Sequence, residues 1–182
     1  MSEDSLEKIR DEVLMCPLCR LSKSRTIAVP GEGASRAKLL FVGEGPGRQE
    51  DLAGNPFVGA AGKLLSELLE SINLSREKVF ITNIVKCRPP ENRDPLKDEI
   101  EACLPYLRRQ VVLIKPSLIC ILGNYALKYL IDENLAISQA HGKVFKKGKI
   151  NFFAFYHPAA ALYNQKLRNT LFSDIAKLKE VL

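Results

Sequence analysis

Five cysteines, two histidines and one glycine-rich turn hold most of the chemistry this chain of 182 residues can offer. Cys16 and Cys19 form a C-x-x-C pair, Cys87 follows after 67 intervening residues, and Cys103 after 15 more. Four thiolates gathered at one point suit either a tetrahedral zinc ion or an iron–sulfur cluster, because both accept four cysteines. A zinc ribbon repeats its C-x-x-C pair and this chain does not, so the spacing is weaker for zinc and compatible with a cubane; separate buried thiols are the alternative to a metal site. Cys120, inside the apolar run 117–122, reads as core filling.

The turn Gly43-Glu44-Gly45-Pro46-Gly47 departs from the dinucleotide pattern G-x-G-x-x-G, since Arg48 stands where the third glycine is required, and G-x-x-x-x-G-K-[ST] is absent. Neither a nicotinamide cofactor nor a nucleoside triphosphate is supported. What the turn does offer is backbone N–H groups and the Glu44 carboxylate, suited to a small polar ligand or a phosphate; a mere tight strand exit is the alternative. His157 follows the aromatic run 152–156 and precedes Pro158. An imidazole there can donate a hydrogen bond to developing negative charge. His141 has no such placement and is expected to contact solvent or backbone.

Positioning these groups requires a scaffold, and the hydrophobic pattern specifies one. Short apolar runs at 38–44, 79–83, 117–122 and 150–156 read as strands buried on both faces. Helix-period segments at 61–72, 96–114, 125–131 and 166–182 separate or follow them, and a short amphipathic helix over 4–14, capped from within 2–5, opens the chain. Strands alternating with helices imply a single three-layer α/β/α domain over 1–182 with a four-stranded parallel sheet. Such sheets bind ligands beyond the carboxyl ends of their strands. The residues placed there are Gly43 to Gly47, Asn83 with the stretch to Pro90, Gly123 with Asn124, and His157 with Pro158.

Hydrophobic residues at 46% and charged residues at 26% fit an ordinary folded domain and not a disordered tail. Lys plus Arg exceed Asp plus Glu by 27 to 21, and the pI is about 9.1. Basic segments lie at 20–25, at Lys86, Arg88 and Arg93, and at 143–149. Charge runs usually face solvent, yet these flank the cysteines and the His157 strand, which suits a nucleic-acid backbone. No run of 18 apolar residues occurs, and the first ten residues alternate charge instead of forming a leader. The chain therefore reads as cytoplasmic, with no membrane partner, and an odd number of cysteines in a reducing compartment suggests metal or redox chemistry.

Taken in order, these pieces resemble the iron–sulfur uracil-DNA glycosylases called family 4. The resemblance runs from Cys16 to about Arg168. It rests on Gly43-Glu-Gly-Pro-Gly47 with Glu50-Asp51, on Asn55-Pro-Phe-Val-Gly-Ala-Ala-Gly62, on Thr82-Asn-Ile-Val-Lys-Cys-Arg-Pro-Pro90, on Ile121-Leu-Gly123 and on His157-Pro-Ala-Ala-Ala161. It implies a [4Fe–4S] cluster on Cys16, Cys19, Cys87 and Cys103 that pins the N-terminal segment and the loop after Asn83. It further implies that Phe57 stacks on an extruded uracil, that Asn83 reads its edge and that His157 stabilises charge growing on O2. Gly43, Glu44, Gly45 and Gly47 would line the sugar and water side, and residues 159–163 would wedge the duplex.

Better-known glycosylases of that superfamily place a water-activating aspartate where this chain has Gly45, and a thymine-excluding tyrosine where it has Gly47. Glu44, or a water held by backbone carbonyls, is the base expected in their stead. The resemblance implies a monomeric, monofunctional enzyme that hydrolyses the glycosidic bond of deoxyuridine in DNA and leaves an abasic site, with a sliding clamp as a further partner. No lyase step is expected, because no lysine lies in the glycine turn or beside His157, Lys86 being the nearest exception. Two other classes compete: an iron–sulfur electron-transfer or redox-sensing protein, and a non-catalytic zinc-containing nucleic-acid binder.

Overall fold

The four apolar runs become four parallel strands at the centre of a wider sheet. A computed structural model describes residues 4–181. In chain order the elements are α1 (Leu6–Met15), β1 (Glu32–Gly33), β2 (Leu39–Gly43), α2 (Arg48–Ala53), α3 (Ala60–Ser71), β3 (Phe80–Asn83), α4 (Lys97–Ile114) and β4 (Leu118–Leu122). There follow α5 (Asn124–Leu130), α6 (Ile137–Ala140), β5 (Val144–Lys147), β6 (Ile150–Phe155), α7 (Gln165–Ala176) and α8 (Leu178–Val181). Ser5 caps α1, its hydroxyl accepting from the Lys8 N–H at 3.1 Å. Ser2, Glu3 and Leu182, parts of the expected cap and last helix, lie outside the described residues.

The sheet order is β1-β3-β2-β4-β6-β5. The central four strands run parallel, as the alternation of strands and helices requires. The expected count of four is corrected to six, because β1 adds antiparallel to β3 and β5 adds antiparallel to β6. Neither addition carries an apolar run: β1 is a two-residue bridge, and β5 is the lysine-bearing segment that reads as solvated charge.

Alternation within β2 explains the three layers. Leu40 and Val42 face a core with Ile9 and Val13 of α1, Ile100 and Leu107 of α4, and Ala126 and Leu127 of α5. Leu39 and Phe41 face the opposite core, with Leu64, Leu65 and Leu68 of α3 and Leu171 and Ile175 of α7. A strand covered on both faces is apolar at every position, and all five residues of β2 and of β4 are buried. From β2 the chain passes to one side, toward β3, and then back across to β4 on the other. That reversal opens a crevice at the carboxyl ends of β2 and β4. Among the described residues no helix is long and apolar enough to cross a membrane.

Candidate active site

Four strand ends meet at that crevice. Beyond β2 and β3 the backbone remains stitched, with Ile84 N–H donating to Gly43 O at 2.9 Å and Val85 N–H to Glu44 O at 3.1 Å. The glycine turn is thereby held against the segment that follows Asn83. Gly123, which ends β4, has φ +89°, and a Cβ there would lie 3.0 Å from the Cβ of His157. Glycine is what lets the turn after β4 lie against the histidine.

The cleft there measures about 350 Å³, at the low end of the roughly 300–1,000 Å³ usual for ligand pockets. It is lined by Glu44, Gly45, Pro46, Gly47, Pro89, Asn92, Arg93, His157 and Ala159. Phe57 and Asn83 do not line this open part. They lie deeper, both buried, and touch it through Gly43 and His157. A Cβ on Gly43 would fall 2.5 Å from Asn83 Oδ1 and 2.7 Å from Phe57 Cζ, so Gly43 is the gap between those two side chains. The Phe57 and His157 rings stack with centroids 5.6 Å apart and planes at 28°. Phe57, Asn83 and His157, separated by 26 and 74 positions in the chain, thus converge.

Asn83 Oδ1 is buried and has no hydrogen-bond partner among the described residues. A buried amide oxygen left unpaired costs about 1–3 kcal/mol, which a native fold tolerates where a ligand supplies the donor. Behind Asn83, Lys86 is buried and donates through Nζ to Asn83 O at 2.8 Å, Thr82 Oγ1 at 2.5 Å and Gln110 Oε1 at 2.9 Å. Burial lowers this lysine to about 7, the nearby Cys103 acting in the opposite direction.

His157 takes part in its own loop. Nδ1 accepts the Ala159 N–H at 3.1 Å, at the start of the 3-10 turn Pro158–Ala161. Burial holds the imidazole down to about 4, against the weaker pull of the Glu50 carboxylate. Glu44 moves the other way: burial, with help from Asp94, pushes its carboxyl up to about 7. The cleft therefore joins a neutral imidazole to a carboxyl that titrates near neutrality. After Ala161 the chain turns through Tyr163, whose side chain is fully exposed.

Several contributors escaped the sequence reading. Glu50 Oε1 accepts the N–H groups of Val58 and Gly59, both at 2.9 Å, and ties α2 to the Phe57 loop. The buried Asp51 accepts the Thr26 N–H at 2.9 Å. Both stand in the Glu50-Asp51 pair beside the glycine turn, and a carboxylate pair opening a helix is the signal for them. Phe57 itself has φ +52°, a conformation worth about 1–3 kcal/mol of strain for a residue other than glycine. His141 is corrected: its Nδ1 lies 2.7 Å from Oδ2 of the buried Asp174, and it does not merely meet solvent or backbone. A partner 33 positions away leaves no local trace.

No disulfide joins the cysteines among the described residues. Cys16, Cys87 and Cys103 belong to one apolar core, with Cys19 packed against it. Burial pushes the Cys103 thiol up to about 11, with Cys87 and Cys19 adding to the rise, and raises Cys87 in the same way, with Cys19 and Cys16 adding. Arg25 Nη1 donates to Cys87 Sγ at 3.2 Å and the Lys86 N–H to Cys103 Sγ at 3.4 Å. Among the described residues no group of three or more His, Cys, Asp or Glu is arranged to hold a metal ion.

Known proteins resemble this chain over most of its length. A family described as "Uracil DNA glycosylase superfamily" matches residues 30–178. A type-4 uracil-DNA glycosylase of Sulfurisphaera tokodaii is 52% identical over 187 residues, covering 98% of this chain and 85% of that protein. That of Saccharolobus solfataricus is 52% identical, covering 98% and 87%, and that of Archaeoglobus fulgidus 48% identical, covering 98% and 94%. With nearly the whole chain matched, the protein belongs to the uracil-DNA glycosylase superfamily, among its type-4 members.

Proposed function

We propose that the chain excises uracil from DNA by hydrolysing the N-glycosidic bond of an extruded deoxyuridine, leaving an abasic site. The observation that carries this reading is the buried, unpartnered Asn83 Oδ1 beside the Phe57 ring. Uracil presents N3–H as a donor and O4 as an acceptor, and one amide answers both, oxygen to N3–H and nitrogen to O4. Cytosine reverses both positions and is rejected by about 10⁴-fold or more. Extruding the nucleotide costs about a few kcal/mol, and stacking on Phe57 returns about 1–3 kcal/mol.

Cleavage separates a cationic sugar from a uracil anion. Because His157 Nδ1 is an acceptor, the neutral ring carries its proton on Nε2, the nitrogen that donates to O2 as charge grows there. Glu44, ionised above about 7, is the group that orients and deprotonates the attacking water. The exposed Tyr163 and the turn before it fill the space the nucleotide vacates. Lys86, spent on three acceptors behind Asn83, supports a reaction without a Schiff base.

Cys16, Cys19, Cys87 and Cys103 are the residues that would hold a [4Fe–4S] cluster. The donor set is of the right kind: three sulfurs buried in one apolar core with Cys19 packed against it, two of the four receiving N–H donors from Arg25 and Lys86. When bound, the group supplies a covalent tie among α1, the segment after β3 and α4.

One assay tests the reading: matched oligonucleotides bearing uracil or thymine, treated with enzyme and then alkali. Strand breaks confined to uracil are expected, as is the absence of a borohydride-trapped adduct. Binding to DNA with no breaks would leave a non-catalytic binder, and a brown protein without breaks an electron carrier.

A further inference from the structure

Phe57 reaches the slot through its backbone, and one side chain remote from the reacting atoms holds that backbone. Arg76 opens the 3-10 turn Arg76–Lys78 just before β3. Its Nη1 donates to Phe57 O at 3.0 Å, and its Nη2 to Pro56 O at 2.7 Å and to Glu32 Oε1 at 2.6 Å. Successive carbonyls of an extended chain point to opposite sides. One guanidinium binding two of them in succession requires a turn instead, and the turn taken is the left-handed one, φ +52° at Phe57. Only the planar fork of arginine presents donors spaced for all three oxygens.

The opposite side of the same peptide is closed by α3. A Cβ on Gly62 would lie 1.7 Å from Phe57 O, so that carbonyl is gripped between the first turn of α3 and Arg76. Glu32 pairs with Ile81 in the antiparallel bridge between β1 and β3, and Asn83 ends that same β3. The ring that stacks and the amide that reads are therefore both referenced to one strand. None of this was visible in the motif of Phe57, and Arg76 lies nineteen positions away.

We propose that Arg76, oriented by Glu32, is a positioning residue that fixes the Phe57 ring at the base slot and thereby sets affinity for the extruded base and not for the DNA backbone. The inference rests on the reading of Phe57 as the stacking ring.

The experiment is a double-mutant cycle on binding. Wild type, Arg76→Ala, Phe57→Ala and the double variant are titrated with two duplexes, one carrying an uncleavable 2′-fluoro-deoxyuridine and one carrying a tetrahydrofuran abasic analogue with no base to stack. Arg76→Ala weakens the first by about 10-fold and the second by less than about twofold, and the double variant matches Phe57→Ala within about twofold. Losses that multiply in the double variant, or equal weakening on both duplexes, overturn the proposal. Should Phe57→Ala bind both duplexes like wild type, the stacking role itself fails, a result distinct from failure of the clamp. Arg76→Lys and Glu32→Gln, checked for folding by circular dichroism, run the same comparison if Arg76→Ala does not fold. Each is expected to weaken the fluorinated duplex selectively, by about threefold or more, and no selective loss in either overturns the clamp.

Discussion

His157 accepts the backbone N–H of Ala159 at Nδ1, 3.1 Å away, and that bond decides which ring nitrogen remains to donate. With the imidazole held down to about 4, it is neutral near pH 7. His157→Ala is expected to slow single-turnover cleavage by about 10²–10³-fold, the cost of one lost donor to a developing anion. Affinity for uracil-containing duplex should hardly change. Equal losses in binding and rate would instead make the ring a packing element.

Glu44 is expected to set the pH dependence. Its carboxyl, raised to about 7 by burial and Asp94, is protonated below that value and ionised above it. Cleavage should therefore rise with pH through about 7 and level off above. Glu44→Gln should remove that limb and lower the plateau by about 10²–10⁴-fold. Asp94→Asn should move the midpoint downward, because a like charge is lost. Single-turnover rates across pH 5 to 9 check all three outcomes.

Asn83→Asp replaces the amide nitrogen with an acceptor. Uracil O4 then faces an oxygen, and uracil cleavage is expected to fall by about 100-fold, near 2–3 kcal/mol. Cytosine, whose amino group now finds an acceptor, should become a weak substrate. Parallel assays on uracil and cytosine oligonucleotides measure the change in ratio.

Gly43→Ala probes shape without touching a polar group. The new methyl would sit 2.5 Å from Asn83 Oδ1 and 2.7 Å from Phe57 Cζ. Misplacing reacting groups by about 1 Å can cost about 10²-fold. Rate should fall by that order while the circular dichroism spectrum stays native.

Cysteine substitutions should divide into two classes. Cys103→Ser should abolish any visible chromophore and lower Tm by about 8–16 °C, as expected when a lost metal site costs about 4 kcal/mol. Cys120, a fully buried residue of β4, should tolerate alanine with its absorbance unchanged. Iron content, ultraviolet–visible spectra and thermal melts read both.

Much of this site could be read from the chain because its parts sit at strand ends, and strands buried on both faces announce themselves as short apolar runs. Residues 38–44 and 117–122 correspond to β2 and β4 for that reason. Where the determinant is long-range, the sequence is silent. The short α2 is polar at most positions, β1 is two residues of a bridge, and the hydrogen bond of His141 with Asp174 and the ion pair of Arg76 with Glu32 join residues 33 and 44 positions apart. The left-handed backbone of Phe57 is likewise imposed from outside, by Arg76 and α3, so nothing in its own neighbours predicts it.

The lysines of β5 stand on a bare edge of the sheet. This strand pairs only with β6 among the described residues, so its outer N–H and C=O groups face away from the sheet. A bare strand edge is a template on which a second polypeptide can add. Lys146 and Lys147 are both exposed on that edge, and Lys147 Nζ is tethered to Leu130 O at 3.1 Å. Any incoming strand would have to strip water from these ammonium groups and crowd its own cations against them. One of the basic segments of the sequence thus also disfavours edge-to-edge pairing at this rim of the sheet.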